Sequence, residues 1–285
     1  MENKTAPLIK VKRTLQSYSI DVVAGSLATG LFAVKWCGVT MQPAWWFILA
    51  IAVWIIYTAD HIIDSLSKKE TSLIYRHKIH YVFKYRLMAL VIVSGISALL
   101  LSVIFLDKKT LLAGTVLGFV VFLYLIAVSI SGKKAAYFFK EFFIALIYVA
   151  GIWLSPLINS QNKMSMPTVA LLFVFVLLVL AEGLTVSVYE MDMDKADNQK
   201  SFALKYGAAA TNNFVVAVLL LAFAISLYFV LKLSDSHKRY FFVITSIMDV
   251  MLSGLLVFKK YFKKGNRYRS LGETVFWLPA IIVWL

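Results

Sequence analysis

Hydrophobic positions in this chain gather into long uninterrupted runs, and polar positions are confined to short breaks between them. Five runs contain no Asp, Glu, Lys or Arg: residues 36–59, 87–106, 110–132, 142–162 and 206–231. A helix of about 20 such residues crosses roughly 30 Å of hydrocarbon, so each run is long enough to span a bilayer. Three more qualify with a single interruption. Residues 164–181 continue past Glu182 into Leu-Thr-Val-Ser-Val-Tyr, residues 14–34 contain Asp21, and residues 240–258 contain Asp249. A ninth and shortest candidate covers 270–285 and holds Glu273 and Pro279. The runs are too long for barrel strands, and helices satisfy their own backbone hydrogen bonds in lipid. The pattern predicts an all-α, polytopic membrane protein with nine transmembrane helices forming a single domain over 1–285.

Composition agrees. The set AVILMFWYC makes up 61% of the 285 residues and charged residues only 15%, against about 25% charged in an average soluble domain. So few polar side chains cannot cover a water-exposed surface, and low charge with many aromatics excludes disorder. The net charge of +14, from 29 basic and 15 acidic residues, raises the question of a nucleic-acid partner. The positions of the charges answer it. With the N-terminus in the cytoplasm, 22 Lys and Arg fall on the cytoplasmic side and six on the other (Lys108, Lys109, Lys163, Lys232, Lys238, Arg239), while Lys35 lies in the first span. This is the positive-inside bias of a membrane protein, so no nucleic acid need be invoked. Membrane lipids with anionic head groups, or a phosphorylated substrate, are the partners such charge attracts; no obligate protein partner is implied. The N-terminal region lacks the short apolar core and cleavage pattern of a signal peptide. It reads as leading into a retained first helix in a bacterial inner or plasma membrane. The lone Cys37 has no partner for an intrachain disulfide and is expected to be a buried small hydrophobe.

With only fifteen acids in the chain, their distribution is informative. Asp60 and Asp64 lie at the cytoplasmic end of the second span. Glu190, Asp192, Asp194 and Asp197 lie at the cytoplasmic end of the sixth. Asp60 and Asp64 are i,i+4, as are Glu190 and Asp194, so each pair stacks on one helix face. Like charges at this spacing repel, and near a dry interior they require a compensating cation. Mg²⁺ suits such sites, because it takes few protein oxygens and completes its shell with water and phosphate. A diphosphate bridged by Mg²⁺ is the natural ligand. Solvated helix-end polarity and a proton or ion pathway remain open on these residues alone.

The two clusters resemble the UbiA superfamily of intramembrane prenyltransferases, which have nine transmembrane helices and two aspartate-rich motifs written NDxxDxxxD and DxxxD. Asp60 and Asp64 match the second and third aspartates of the first motif, within Ile56-Tyr57-Thr58-Ala59-Asp60-His61-Ile62-Ile63-Asp64. Aligning Lys200-Ser201 with the ending of the second motif puts Glu190 and Asp194 on its acidic pair, with Asp192 between them. Ser201 and Gly207 resemble the short tail that follows. The departures are specific. Ile56-Tyr57 stands where the family has Asn-Asp, Glu190 replaces an aspartate, Asn198 stands where glycine is common, and the basic segment Arg76 to Tyr81 lacks the family's Arg-Pro.

The resemblance implies a nine-helix bundle of UbiA type and Mg²⁺-dependent transfer of an isoprenyl group from a prenyl diphosphate to an aromatic or other lipophilic acceptor. Asp60, Asp64, Glu190 and Asp194 would hold the metal and diphosphate. Asp192 or Asp197 would bind a second metal or pair with lysine. Arg76, Lys78 and Lys140 are the phosphate partners, and Tyr57, with Tyr75, Tyr124, Tyr148 and Tyr189, would shield a carbocation by its ring face. His77 and His80 read either as phosphate donors or as exposed loop residues. The same scaffold admits an isoprenoid cyclase or another lipid-phosphate transferase. A transporter or a non-catalytic lipid-binding protein would keep the helices without the chemistry.

Overall fold

The computed structural model describes residues 14–68, 75–130, 140–161, 164–197 and 201–285. Of the residues named or counted above, Lys4, Lys10, Lys12, Arg13, Lys69, Lys133, Lys134, Lys163, Asn198 and Lys200 lie outside them. The described residues contain helices and no strands. The chain runs α1 (Ile20–Cys37), α2 (Pro43–Lys68), α3 (Tyr75–Val82), α4 (Lys84–Phe105), α5 (Lys108–Ile130), α6 (Lys140–Asn159) and α7 (Met166–Ala196). It continues through α8 (Phe202–Tyr206), α9 (Ala208–Lys232), α10 (Ser236–Val257), α11 (Lys259–Lys263) and α12 (Arg267–Val275), and ends in a 3₁₀ segment, Leu278–Trp284.

Eight of these helices are long and apolar enough to cross a membrane: α1, α2, α4, α5, α6, α7, α9 and α10. The chain is therefore a multi-pass membrane protein. Two boundaries differ from the sequence reading. Trp36 and Cys37 close α1 rather than opening the second span, because Gly38 turns the chain at φ 63° and α2 begins only at Pro43. A left-handed residue ends a helix with least strain when it is glycine, and proline fits the first helical turn. The expected ninth span over 270–285 is instead the nine-residue α12 followed by the 3₁₀ segment. Arg267, Arg269 and Glu273 make α12 polar, and Pro279, lacking an N–H, opens the 3₁₀ segment rather than extending an α-helix.

The described residues fall into two compact units, one within 14–27 and 42–106, the other within 28–41 and 107–285. In the first, α2 packs along α4 and against α3. Leu87 is the one buried side chain of α4, leaving an almost wholly apolar, exposed surface suited to lipid. Trp45 and Trp46 meet edge to face at the start of α2, 4.8 Å between ring centres.

In the second unit α7 is the hub, packed by α6, α8, α9, α10 and α12. It is hydrophobic all round, which suits a helix enclosed by others, and Leu171, Val174, Phe175, Leu178 and Ala181 are fully buried. Phe32 of α1 sits among Trp153, Phe175 and Phe241, with centroid separations of 6.2, 5.3 and 4.6 Å in edge-to-face contacts. Trp36 Nε1 donates to Thr168 Oγ1 at 3.1 Å, so the indole meets its polar requirement inside the bundle. Cys37 is buried, as expected.

Candidate functional site

The first acidic group rides on the last third of α2. Asp60 and Asp64 are both half-buried, and between them His61 is buried. The His61 ring meets Tyr57 of its own helix at 6.3 Å and His80 of α3 at 5.2 Å, both edge to face. Tyr18 lies 6.2 Å from His80. His80 is 0% exposed, so it is not the exposed loop residue that the sequence allowed.

Its Nδ1 lies 2.9 Å from the Arg76 carbonyl oxygen. A carbonyl only accepts, so Nδ1 carries the proton and Nε2 presents a lone pair. That Nε2 is buried without a hydrogen-bond partner. Burial pushes the His80 imidazole below its ordinary value, with the positive charge of Arg76 adding to the effect and the bond to the Arg76 carbonyl opposing it. Arg76 is half-buried and Lys78 exposed on the same short helix. An amphipathic eight-residue helix thus brings the predicted phosphate cations Arg76 and Lys78 into the same unit as Asp60, Asp64 and Tyr57.

The second acidic group is the C-terminal end of α7, in the other unit. Here the four acids separate by environment. Asp192 is exposed and pairs with Lys263 of α11 at 3.2 Å, whereas Asp194 and Asp197 are half-buried. Glu190 is buried at 7% exposure. Its Oε1 accepts a hydrogen bond from the Tyr268 hydroxyl at 2.8 Å and forms an ion pair with Arg269, both on α12. Tyr268 stacks flat on Tyr189, 4.5 Å apart and 4° from parallel. Tyr189 in turn donates its hydroxyl to the Leu255 carbonyl at 2.6 Å.

Burial raises the Tyr268 phenol above its ordinary value, and the Glu190 charge raises it further. Burial works to lower the Arg269 value, but Glu190 beside it more than offsets this and holds the guanidinium above its ordinary value. About two turns earlier on α7, Gly183 lies against Glu141 from the start of α6, where an added Cβ would sit 3.9 Å from it, and Glu141 Oε2 has no hydrogen-bond partner. Lys140 is half-buried at the same helix start. After Ser201, the short α8 ends at Gly207 with φ 84°, a conformation that a Cβ would strain. The tail expected after the second motif therefore has a backbone reason for its glycine.

The predicted residues thus divide between the two units: Tyr57, Asp60, Asp64, Arg76 and Lys78 in one, and Lys140, Glu190, Asp192, Asp194 and Asp197 in the other. Among the described residues, no three His, Cys, Asp or Glu side chains gather closely enough to hold a metal ion unaided. The half-buried Asp60, Asp64 and Asp194 suit a cation that completes its shell with water and phosphate. Glu190 suits it less well, because it is buried and its Oε1 is already committed to Tyr268 and Arg269.

Sequence reasoning counts Arg269 only as a loop charge and does not single out Tyr268. Their pairing with a residue 78 positions earlier leaves no local signal. The other aromatic candidates, Tyr124 and Tyr148, lie against Phe143 (4.3 Å) and Phe276 (5.8 Å), as packing residues do.

The architecture is that of an all-helical, multi-pass membrane protein with acidic residues at the ends of two long helices. Its fold is shared with a solved structure of digeranylgeranylglyceryl phosphate synthase in membranes, with a TM-score of 0.55 and 19% identity over 97% of this chain and 95% of the other. The likeness is one of fold. A scan of protein-family models finds no match, and no curated protein sequence matches the chain.

Proposed function

We propose that this protein is an Mg²⁺-dependent prenyltransferase of the UbiA type, moving an isoprenyl group from a prenyl diphosphate to a lipophilic acceptor within the membrane. The observation that carries the reading is a near-full-length fold shared with a digeranylgeranylglyceryl phosphate synthase, in a chain whose acids concentrate at two helix ends. Asp60 and Asp64 at the end of α2, and separately Asp194 at the end of α7, are the acids that would hold Mg²⁺. The ion, when bound, would neutralise charge on the departing diphosphate. Arg76, Lys78 and Lys140 add positive charge for the phosphate oxygens, and the half-buried ring of Tyr57 would favour an allylic cation over water.

In the reaction, the bond between the prenyl C1 and the diphosphate oxygen breaks, and its electron pair leaves on diphosphate. The acceptor, through a ring carbon or a hydroxyl oxygen, supplies the pair for the new bond to C1 and then releases its proton to a neighbouring base. The 22-to-6 charge bias supports an N-terminus in the cytoplasm of a bacterial inner or plasma membrane. The chain is read as one functional domain across 1–285.

The test uses the full chain in nanodiscs with Mg²⁺, a series of prenyl diphosphates and a panel of aromatic and glycerol-phosphate acceptors. Release of pyrophosphate with a prenylated product, lost on chelation and in Asp60→Ala, is the expected result. A protein that binds no prenyl diphosphate and releases no pyrophosphate, yet moves solute across sealed vesicles, would replace this reading with transport.

A further inference from the structure

The family pattern assigns Glu190 to metal binding, but its surroundings describe a different role. It is 7% exposed, and its Oε1 meets both the Tyr268 hydroxyl and the Arg269 guanidinium. Those two residues are adjacent in sequence on α12, so one carboxylate takes hold of a whole helix. A second contact repeats the grip eight residues earlier on α7. There Glu182 lies over Gly272, so closely that a Cβ added to the glycine would come 2.7 Å from Glu182 Oε1. Eight residues is a little over two helical turns, so both glutamates of α7 lie along the tract that α12 covers. The Tyr189–Tyr268 stack fills the space beside Glu190.

A buried carboxylate already neutralised by a guanidinium and hydrogen-bonded by a phenol has little to offer a metal ion. Withdrawing it would take from the buried end of Arg269 its foremost counter-charge, which is disfavoured. The Glu-for-Asp departure has a physical sense here, since the longer side chain reaches across to the neighbouring helix.

We infer that Glu190 is a positioning residue that clamps α12 against α7 through Arg269 and Tyr268, and is not a ligand of the metal. Metal binding at this end of α7 then falls to the acids beyond it, Asp194 foremost. The metal half of this inference rests on the prenyltransferase reading; the clamp stands without it.

The experiment is a double-mutant cycle in the full chain, with two readouts. Glu190→Gln takes from Arg269 its foremost counter-charge, Arg269→Gln takes the guanidinium from the buried Glu190, and the double variant removes both charges together. Each single variant is expected to lower the thermal midpoint and to open the C-terminal segment to protease. The double variant should recover more than half of the loss, since energies of residues in contact do not add. The second readout is Mn²⁺ binding by paramagnetic resonance, in the presence of a non-reacting prenyl thiodiphosphate.

Affinity in the double variant is expected to stay within about threefold of the parent, while Asp194→Ala loses about tenfold or more. Independent, additive losses of stability would overturn the clamp. A double variant that folds like the parent but binds Mn²⁺ about tenfold more weakly would restore Glu190 to the metal. Should the parent itself bind no Mn²⁺ with the diphosphate analogue, the prenyltransferase reading fails, and the stability cycle alone still decides the clamp.

Discussion

The ends of α2 and α7 carry the same kind of sequence, acids spaced four apart after a long apolar run, yet the fold surrounds them differently. At the end of α2 the aspartates stay half-buried, and on the same stretch His61 joins a run of ring contacts with Tyr57, His80 and, through His80, Tyr18. At the end of α7 the foremost acid is buried and its charge is answered by Arg269 from a helix far along the chain. Identical spacing therefore serves two ends. One group keeps its carboxylates half-buried, whereas the other buries one carboxylate and uses it to fasten α12. What separates them is not the motif but what the tertiary fold brings beside it.

The largest effect that tests the contrast is on stability at α7. Arg269→Ala leaves Glu190 buried and uncompensated and should cost about 3–5 kcal/mol, read by denaturant unfolding in detergent with tryptophan fluorescence. A loss below about 1 kcal/mol would mean that the pair is not as dry as its burial indicates. At α2 the expected damage is to turnover. Asp64→Ala should reduce pyrophosphate release by about a hundredfold while leaving the unfolding midpoint near the parent's. If Asp64→Ala instead unfolds the protein with no separate effect on turnover, the two groups are alike and the comparison collapses.

How much of this is legible in the sequence follows from the range of the interactions. Apolar runs report membrane spans because the bilayer acts on every residue of a run alike, and all eight long helices lie where such runs occur. The break between α1 and α2 escapes a hydropathy reading because Trp36 and Cys37 are as apolar as a span. Only Gly38 and Pro43 mark the turn, and they act through φ rather than hydropathy. The final segment misleads for the opposite reason: its length and apolar content suffice for a span, but one proline and the charges of α12 divide it. Within the acidic groups, the sequence shows spacing and therefore helix face. It does not show that Arg269 and Tyr268, 79 and 78 residues beyond Glu190, close on it. His80 is equally obscure, since Arg76 to Tyr81 is basic enough to read as a solvated loop, and only the packing of α3 on α2 buries this histidine.

His80 gives a smaller, pH-dependent way to sharpen the comparison. Its folded pKa lies below the ordinary value, chiefly through burial, so the unfolded chain binds a proton that the fold resists. Stability is then fully present above about pH 6.5, the ordinary histidine value, and falls as pH drops through that value toward the lowered one. The slope from one such group is at most about 1.4 kcal/mol per pH unit. Unfolding midpoints of the parent should therefore fall between about pH 7.5 and 5.5 more steeply than those of His80→Asn, whose amide keeps a donor for the Arg76 carbonyl. Parallel slopes would place the acid sensitivity elsewhere.

The smallest effect is expected from a pair that looks equivalent on paper. Lys263 and Asp192 form an ion pair at 3.2 Å, but their side chains are 65% and 81% exposed. Water and salt screen such a pair, and holding two flexible side chains together offsets much of the attraction, so its net contribution is about 0–1 kcal/mol. Lys263→Ala should shift unfolding by less than about 0.5 kcal/mol, and added salt at about 0.5 M should erase even that. The control is informative because Asp192 and Glu190 lie two residues apart on one helix, and each meets a cation from the segment after α10. Burial is the difference between the two pairs. A Lys263→Ala loss rivalling that of Arg269→Ala would show that net charge near the end of α7, rather than a desolvated clamp, holds the terminal segment in place.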